Sequence, residues 1–216
     1  MKIQIILYCL IGFVLLSDIE NGVHVTKVQK VVSWESVKTW ASFAILFGGK
    51  GREYDSFFNT YYSEARKVGM KIGSLWCSKA ISVSDAVEEA KLCLKILNGK
   101  QFEFPIYYEI TKEIIARGIQ NEILDKFCSI LEKNKYYCGV FSDSNFYENN
   151  SFTNSTLENR SIWAVDIKNR PSFKCDIWTN DDRNVPGIKD KLYTDVGYTD
   201  FDRIIKEKGL NGFGKN

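Results

Sequence analysis

The sequence predicts a single α/β domain whose parallel strands close into a TIM-like barrel. Three observations carry this reading. Short β-rich apolar runs alternate with amphipathic helical patterns five times, as β/α units sharing one parallel sheet do. After about residue 160 the strands come quickly, with no helical pattern long enough to cover them. A chain of 216 residues, 44% hydrophobic and 26% charged, suits one domain with a real core. Five or more units at this length favour closure into a barrel, although periodicity alone also admits an open, doubly wound sheet.

Strands are expected over residues 23–25, 43–46, 72–75, 106–108, 137–141, 162–165 and 177–178. Ser33 can cap a helix that presents Trp34, Val37 and Trp40 on one face. Asp55 precedes a second helix carrying Phe58, Tyr61, Tyr62 and Ala65, and Gly69 ends it. Ser84 is read as the cap of a third helix, with Val87, Ala90, Leu94 and Leu97 as its core face and Asn98-Gly99 as its stop. Residues 113–131 hold Ile115, Ile119, Ile123, Phe127 and Ile130 at helical spacing, across Gly118. The glycine-rich tail, 209–216, is expected to be flexible and frayed.

The first residues read differently. Lys2 precedes an apolar run over 3–16, broken only by Gln4 and closed by Ser17, which is the pattern of a secretory signal peptide. Cleavage between Ser17 and Gly22 would leave a leader of about residues 1–20 and a barrel domain over 21–208. The run falls short of the roughly 20 residues that span a bilayer, so no stable membrane anchor is expected. Secretion permits disulfides. Without Cys9 the mature chain keeps Cys77, Cys93, Cys128, Cys138 and Cys175, an odd number that leaves at least one thiol unpaired, with the pairing open. Asn149, Asn154 and Asn159 each begin a glycosylation triplet in a polar stretch, which points to an exposed glycosylated loop. A net charge of +2 gives no field that would gather nucleic acid. His24 is the only histidine and no cysteine spacing suggests a metal, so neither metal nor cofactor is expected.

Several segments, in order, resemble the lysozymes of glycoside hydrolase family 25, which cleave the muramic acid linkage of peptidoglycan. Gly22-Val23-His24-Val25-Thr26 stands where the family writes G-I-D-V-S, and Phe43-Ala44-Ile45-Leu46 matches its second strand. Then come Phe58-x-x-Tyr61-Tyr62-x-x-Ala65-x-x-x-Gly69, Ile72-Gly73-Ser74-Leu75-Trp76 and Phe104-Pro105-Ile106-Tyr107-Tyr108. Tyr137-Cys138-Gly139-Val140-Phe141-Ser142, Trp163-Ala164, Asp176-Ile177-Trp178 and Val185-Pro186-Gly187-Ile188 complete the set. The matches run from Gly22 to about Ile205. They imply a barrel of five β/α units followed by three strands, the (β/α)5(β)3 type, and peptidoglycan or a related glycan as ligand.

The chemistry departs from that family. Its first-strand aspartate is replaced by His24. Its D-x-E segment, whose glutamate is taken as the general acid, reads Glu109-Ile110-Thr111. The aspartate of its V-D-L-N segment falls on Tyr193. An arginine position reads Phe47, and an aromatic position reads Asn180. Glycosidic cleavage needs a carboxylic acid at the leaving oxygen and a second group for the oxocarbenium-like centre. A threonine hydroxyl cannot supply the proton near neutral pH, and loss of a general acid alone costs about 10²–10⁴ in rate. Two readings follow for the remaining carboxylates: Glu109 and Asp166 form a rewired acid–base pair, or both are leftover polar groups. Replacement at three catalytic positions favours the second, and with it a secreted lysozyme-like pseudoenzyme that retains glycan or protein binding. Trp76, Trp178 and Tyr107 are the candidate sugar contacts, with Trp163 behind them.

Overall fold

The computed structural model of the protein describes residues 19–214. The expected leader, Cys9 included, lies outside the described residues up to position 18. No helix among the described residues is long and apolar enough to cross a membrane.

The chain runs β1 (Glu20–Val25), α1 (Trp34–Lys38), β2 (Phe43–Lys50), β3 (Glu53–Tyr54), α2 (Phe58–Lys67), β4 (Lys71–Cys77), α3 (Val83–Leu97) and β5 (Ile106–Glu109). It continues α4 (Lys112–Ile115), α5 (Gln120–Lys133), β6 (Cys138–Asp143), α6 (Ser144–Glu148), α7 (Asn154–Leu157), β7 (Ser161–Val165), β8 (Ile177–Arg183), β9 (Leu192–Gly197) and α8 (Phe201–Glu207). The sheet order is β1-β9-β8-β7-β6-β5-β4-β2-β3, and pairing of β1 with β2 closes the ring, leaving β3 as an antiparallel flap on β2. β1, β2 and β4 to β8 pair parallel in chain order. β9 runs antiparallel to both of its neighbours, β8 and β1. The closed barrel, five β/α units and then three strands, excludes the open sheet.

Period-two alternation divides each strand between two layers. On β2, Phe43, Ile45 and Phe47 enter the barrel, while Ala44 and Leu46 face the surrounding helices. Phe43 stacks on Phe104 at 4.3 Å, and Phe201 of α8 packs against Phe104 at 5.5 Å, so aromatic rings fill the end where the parallel strands begin. This filling requires a glycine opposite: a Cβ on Gly22 would stand 2.0 Å from the Phe43 ring.

Four details differ from the sequence reading. The pattern over 113–131 is two helices rather than one, because Gly118 turns the chain with φ +71 between α4 and α5. The cap of α3 is Ser82, whose side chain accepts from the Asp85 N–H; Ser84 lies inside the helix. β9 and α8 form where no strand run or helix pattern was assigned. The tail is packed rather than frayed as far as it is described: Asn211 is fully buried, donating to the carbonyls of Phe102 and Phe104 and accepting from Tyr137 N–H. Cys128 and Cys138 form a disulfide joining α5 to β6, leaving Cys77, Cys93 and Cys175 as thiols.

Candidate functional site

The parallel strands all end at one mouth, the face where barrel proteins carry their sites. A cleft of about 590 Å³ opens there, with His24, Cys77, Glu109, Thr111, Phe141 and Tyr193 in its lining. Each position follows from register. On β5, Tyr108 faces outward, while Tyr107 and Glu109 face inward, Tyr107 deep in the barrel and Glu109 at the mouth. Thr111 follows the strand end, as the N-cap residue of α4, and its hydroxyl makes no capping bond.

His24 is the most constrained polar group of the cleft. Its Nδ1–H donates to Asp195 Oδ2 at 2.8 Å, and Asp195 is fully buried. Asp195 Oδ1 accepts from Thr179 Oγ1–H at 2.6 Å, and Thr179 Oγ1 in turn accepts from Trp163 Nε1–H at 2.9 Å. The chain of bonds fixes the imidazole, with Trp163 edge-on to it at 5.3 Å and the Tyr193 ring near-parallel at 6.3 Å. Burial opposes a charge on His24. Asp195, by its charge and its hydrogen bond, with Glu109 adding, more than offsets this and holds the imidazole above its ordinary value. The Cys77 thiol is pushed far up by burial and by the Glu109 carboxylate beside it, so it stays protonated. Among the described residues no group of three or more His, Cys, Asp and Glu side chains could hold a metal.

The structure brings together some of the sequence candidates and separates others. His24, Glu109, Thr111 and Tyr193 meet around the cleft. Asp166 does not line it. Val165 lines the cleft instead, and the Asp166 carboxylate accepts from Lys168 N–H and Asn169 N–H in a local turn. Those two N–H groups, Asn169 first, hold it below the usual carboxylate range, the wrong direction for a general acid. Trp76 is fully buried on the outside of the barrel wall, and Tyr107 is fully buried inside it, bonded to Ser161 Oγ at 2.8 Å. Neither can touch a sugar. Trp178 alternates with inward Ile177 and Thr179, so it faces away, its Nε1–H donating to the Asp166 carbonyl. Trp163 is fully buried beneath His24. Of the two replaced neighbours, Phe47 packs into the barrel interior and Asn180 falls at a register shift in β8.

Asp195 escaped the sequence reading, although period two from Tyr193 puts it on the same face. The aromatic groups at the cleft are also different from those expected. Tyr193, 48% exposed, and the partly buried Phe141 and Phe146 take the place given to the tryptophans. Asn149, Asn154 and Asn159 are all exposed, at α6, at α7 and just before β7.

A five-plus-three α/β barrel with its polar groups gathered at the mouth defines a lysozyme-like class of protein. The family model of the glycosyl hydrolases family 25 matches residues 23–183, and the chain belongs to that family. No curated protein matches the chain in sequence. Among solved structures, it is similar to the bacterial lysozyme from Streptomyces coelicolor, with TM-score 0.73, 16% identity, and coverage of 90% of this chain and 98% of that one. A glycosyl hydrolase 25 of Streptococcus pneumoniae, GHIP, described as participating in host cell invasion, gives TM-score 0.75 at 13% identity, covering 88% and 92%. The modular autolysin LytC from Streptococcus pneumoniae, in complex with a synthetic peptidoglycan ligand, gives 0.72 at 15%; this chain spans 84% of itself and 47% of LytC.

Proposed function

We propose that the chain is a secreted, N-glycosylated, lysozyme-like protein that binds a glycan in its mouth cleft and has lost, or nearly lost, peptidoglycan hydrolysis. One observation carries it: three cleft positions that hold carboxylates in the family resemblance are His24, Thr111 and Tyr193 here, and of the other acids in the lining Asp143 is engaged by Asn145 N–H and Nδ2–H while Glu113 belongs to α4. Glu109 can stabilise positive charge, but Thr111 supplies no acid for the leaving oxygen. Asp195, the carboxylate beside His24, is buried and bonded to His24 and Thr179, out of reach of a ligand. A rewired Glu109–Asp166 pair has no support in the position of Asp166.

The decisive experiment is a peptidoglycan turbidity assay run with a pull-down on the purified protein. Binding without lysis is expected. Restoring Thr111→Glu, His24→Asp and Tyr193→Asp together should bring measurable turnover, and single restorations little, because groups that act as one unit are non-additive. Robust lysis by the unmodified protein, abolished by Glu109→Gln, overturns the inactive reading. The secretory part is read from a mass shift on peptide N-glycosidase treatment of protein made in a eukaryotic secretory host; no shift counts against it.

A further inference from the structure

Beside the cleft lies a second cavity of about 290 Å³, which shares Lys50, Thr111 and Glu113 with it. Lys79 and Arg117 stand in the second cavity alone. We propose that this annex is an anion subsite, taking the carboxylate or sulfate of an acidic glycan whose chain lies in the main cleft. The proposal rests on the glycan-binding reading above and names its ligand class.

The charges are arranged for it. Lys50, Lys79 and Arg117 form no ion pair among the described residues, whereas nearby Arg52 is committed to Asp85. Glu113 is the only acid lining the annex, against the three cations Lys50, Lys79 and Arg117. The main cleft has the opposite character, with Glu109 and Asp143, neither of which lines the annex. A ligand is thereby oriented, with uncharged sugar over Glu109 and its anionic group over Lys79 and Arg117.

Lys79 is positioned in advance. Its backbone N–H donates at 3.0 Å to Glu89, a buried carboxylate whose other oxygen accepts from Tyr108 O–H at 2.6 Å. Ser78 Oγ is bonded to the same phenol at 2.7 Å, so the loop after β4 is tied down at consecutive residues. The start of the Lys79 side chain lies close over Gly51, where an added Cβ would meet Lys79 Cβ at 3.1 Å. A loop already ordered loses less on binding.

Thr111 connects this subsite to the lost chemistry. It lies where the two cavities meet, at the position of the family's glutamate. A carboxylate there would repel an incoming anion. A hydroxyl carries no charge and does not. The substitution that removes the acid therefore also admits a negatively charged ligand.

The test is calorimetric titration of the purified protein with three oligosaccharides: a neutral chito-oligosaccharide, a hyaluronan oligosaccharide carrying carboxylates only, and a keratan sulfate oligosaccharide carrying sulfates only. At least one acidic probe should bind about tenfold tighter than the neutral one, since exposed cations each contribute a few-fold and act together; which one identifies the anion. Raising the salt should erase the difference. The double variant Lys79→Gln, Arg117→Gln should bring acidic binding down to the neutral level and leave the neutral probe unchanged. Equal binding of all probes, or acidic binding indifferent to the double variant, overturns the subsite alone. No binding of any probe overturns the glycan-binding reading together with it.

Discussion

The two ends of the barrel obey different constraints. At the closed end, Phe43, Phe104 and Phe201 stack together and Asn211 pairs with three backbone groups, so each side chain is held by its neighbours. At the mouth, His24, Thr111 and Tyr193 stand where the family resemblance has carboxylates, and the strands close regardless. Packing governs the first end and reaction chemistry the second. The barrel closes with other side chains at its mouth, whereas the closed end is fixed by the packing of its rings.

The contrast can be broken or sharpened by substitution at each end. Phe104→Ala should cost about 3–5 kcal/mol, because it removes a fully buried ring from a stack with no room to collapse; denaturant unfolding that reports a loss below about 1 kcal/mol would dissolve the distinction. Asn211→Ala should cost about 2–3 kcal/mol by leaving buried backbone groups unpaired, seen as a lower unfolding midpoint.

His24 sits between the two regimes. Its raised pKa means that pairing with Asp195 stabilises the fold in full below the ordinary histidine value of 6.5 and fades as pH rises through the higher folded value. The Tm gap between wild type and His24→Gln should therefore be wider near about pH 5 than near about pH 8.5. A flat gap would contradict a protonated pair. The smallest effect belongs to Thr111→Ala, which should change stability by less than about 0.5 kcal/mol, since the hydroxyl caps nothing; a larger loss by thermal unfolding would give the mouth a packing role.

The alternation of apolar runs and helical faces carried most of the fold. Burial of one face is what both the strands and the helices satisfy, and that burial is written in residue type. Gly118 broke an otherwise continuous helical pattern, because apolar spacing is blind to a left-handed turn. β9 was missed since Leu192, Tyr193, Thr194 and Asp195 mix apolar, exposed and buried polar positions, and the polar ones are satisfied only by β1 and β8. At the site, His24, Thr111 and Tyr193 were legible from the matching motif positions of the family resemblance, and Glu109 from the inward face of its strand as well. Trp76 and Trp178, named as sugar contacts, have the parity of the outer face and so point away from the cleft.

The antiparallel insertion of β9 has a consequence for how the chain is made. Seven strands of the ring emerge from the ribosome before it, and until Gly197 follows, β1 and β8 each present an unpaired edge. The nascent sheet is then an open ribbon whose first and last members wait for one late segment, and no order of synthesis lets the ring shut earlier. Asn149, Asn154 and Asn159 all precede that segment, so the side of the molecule that carries them is synthesised while the cylinder is still unsealed. Closure is a C-terminal event, and a ribosome stalled before Leu192 would hold a sheet with two raw borders open to self-association.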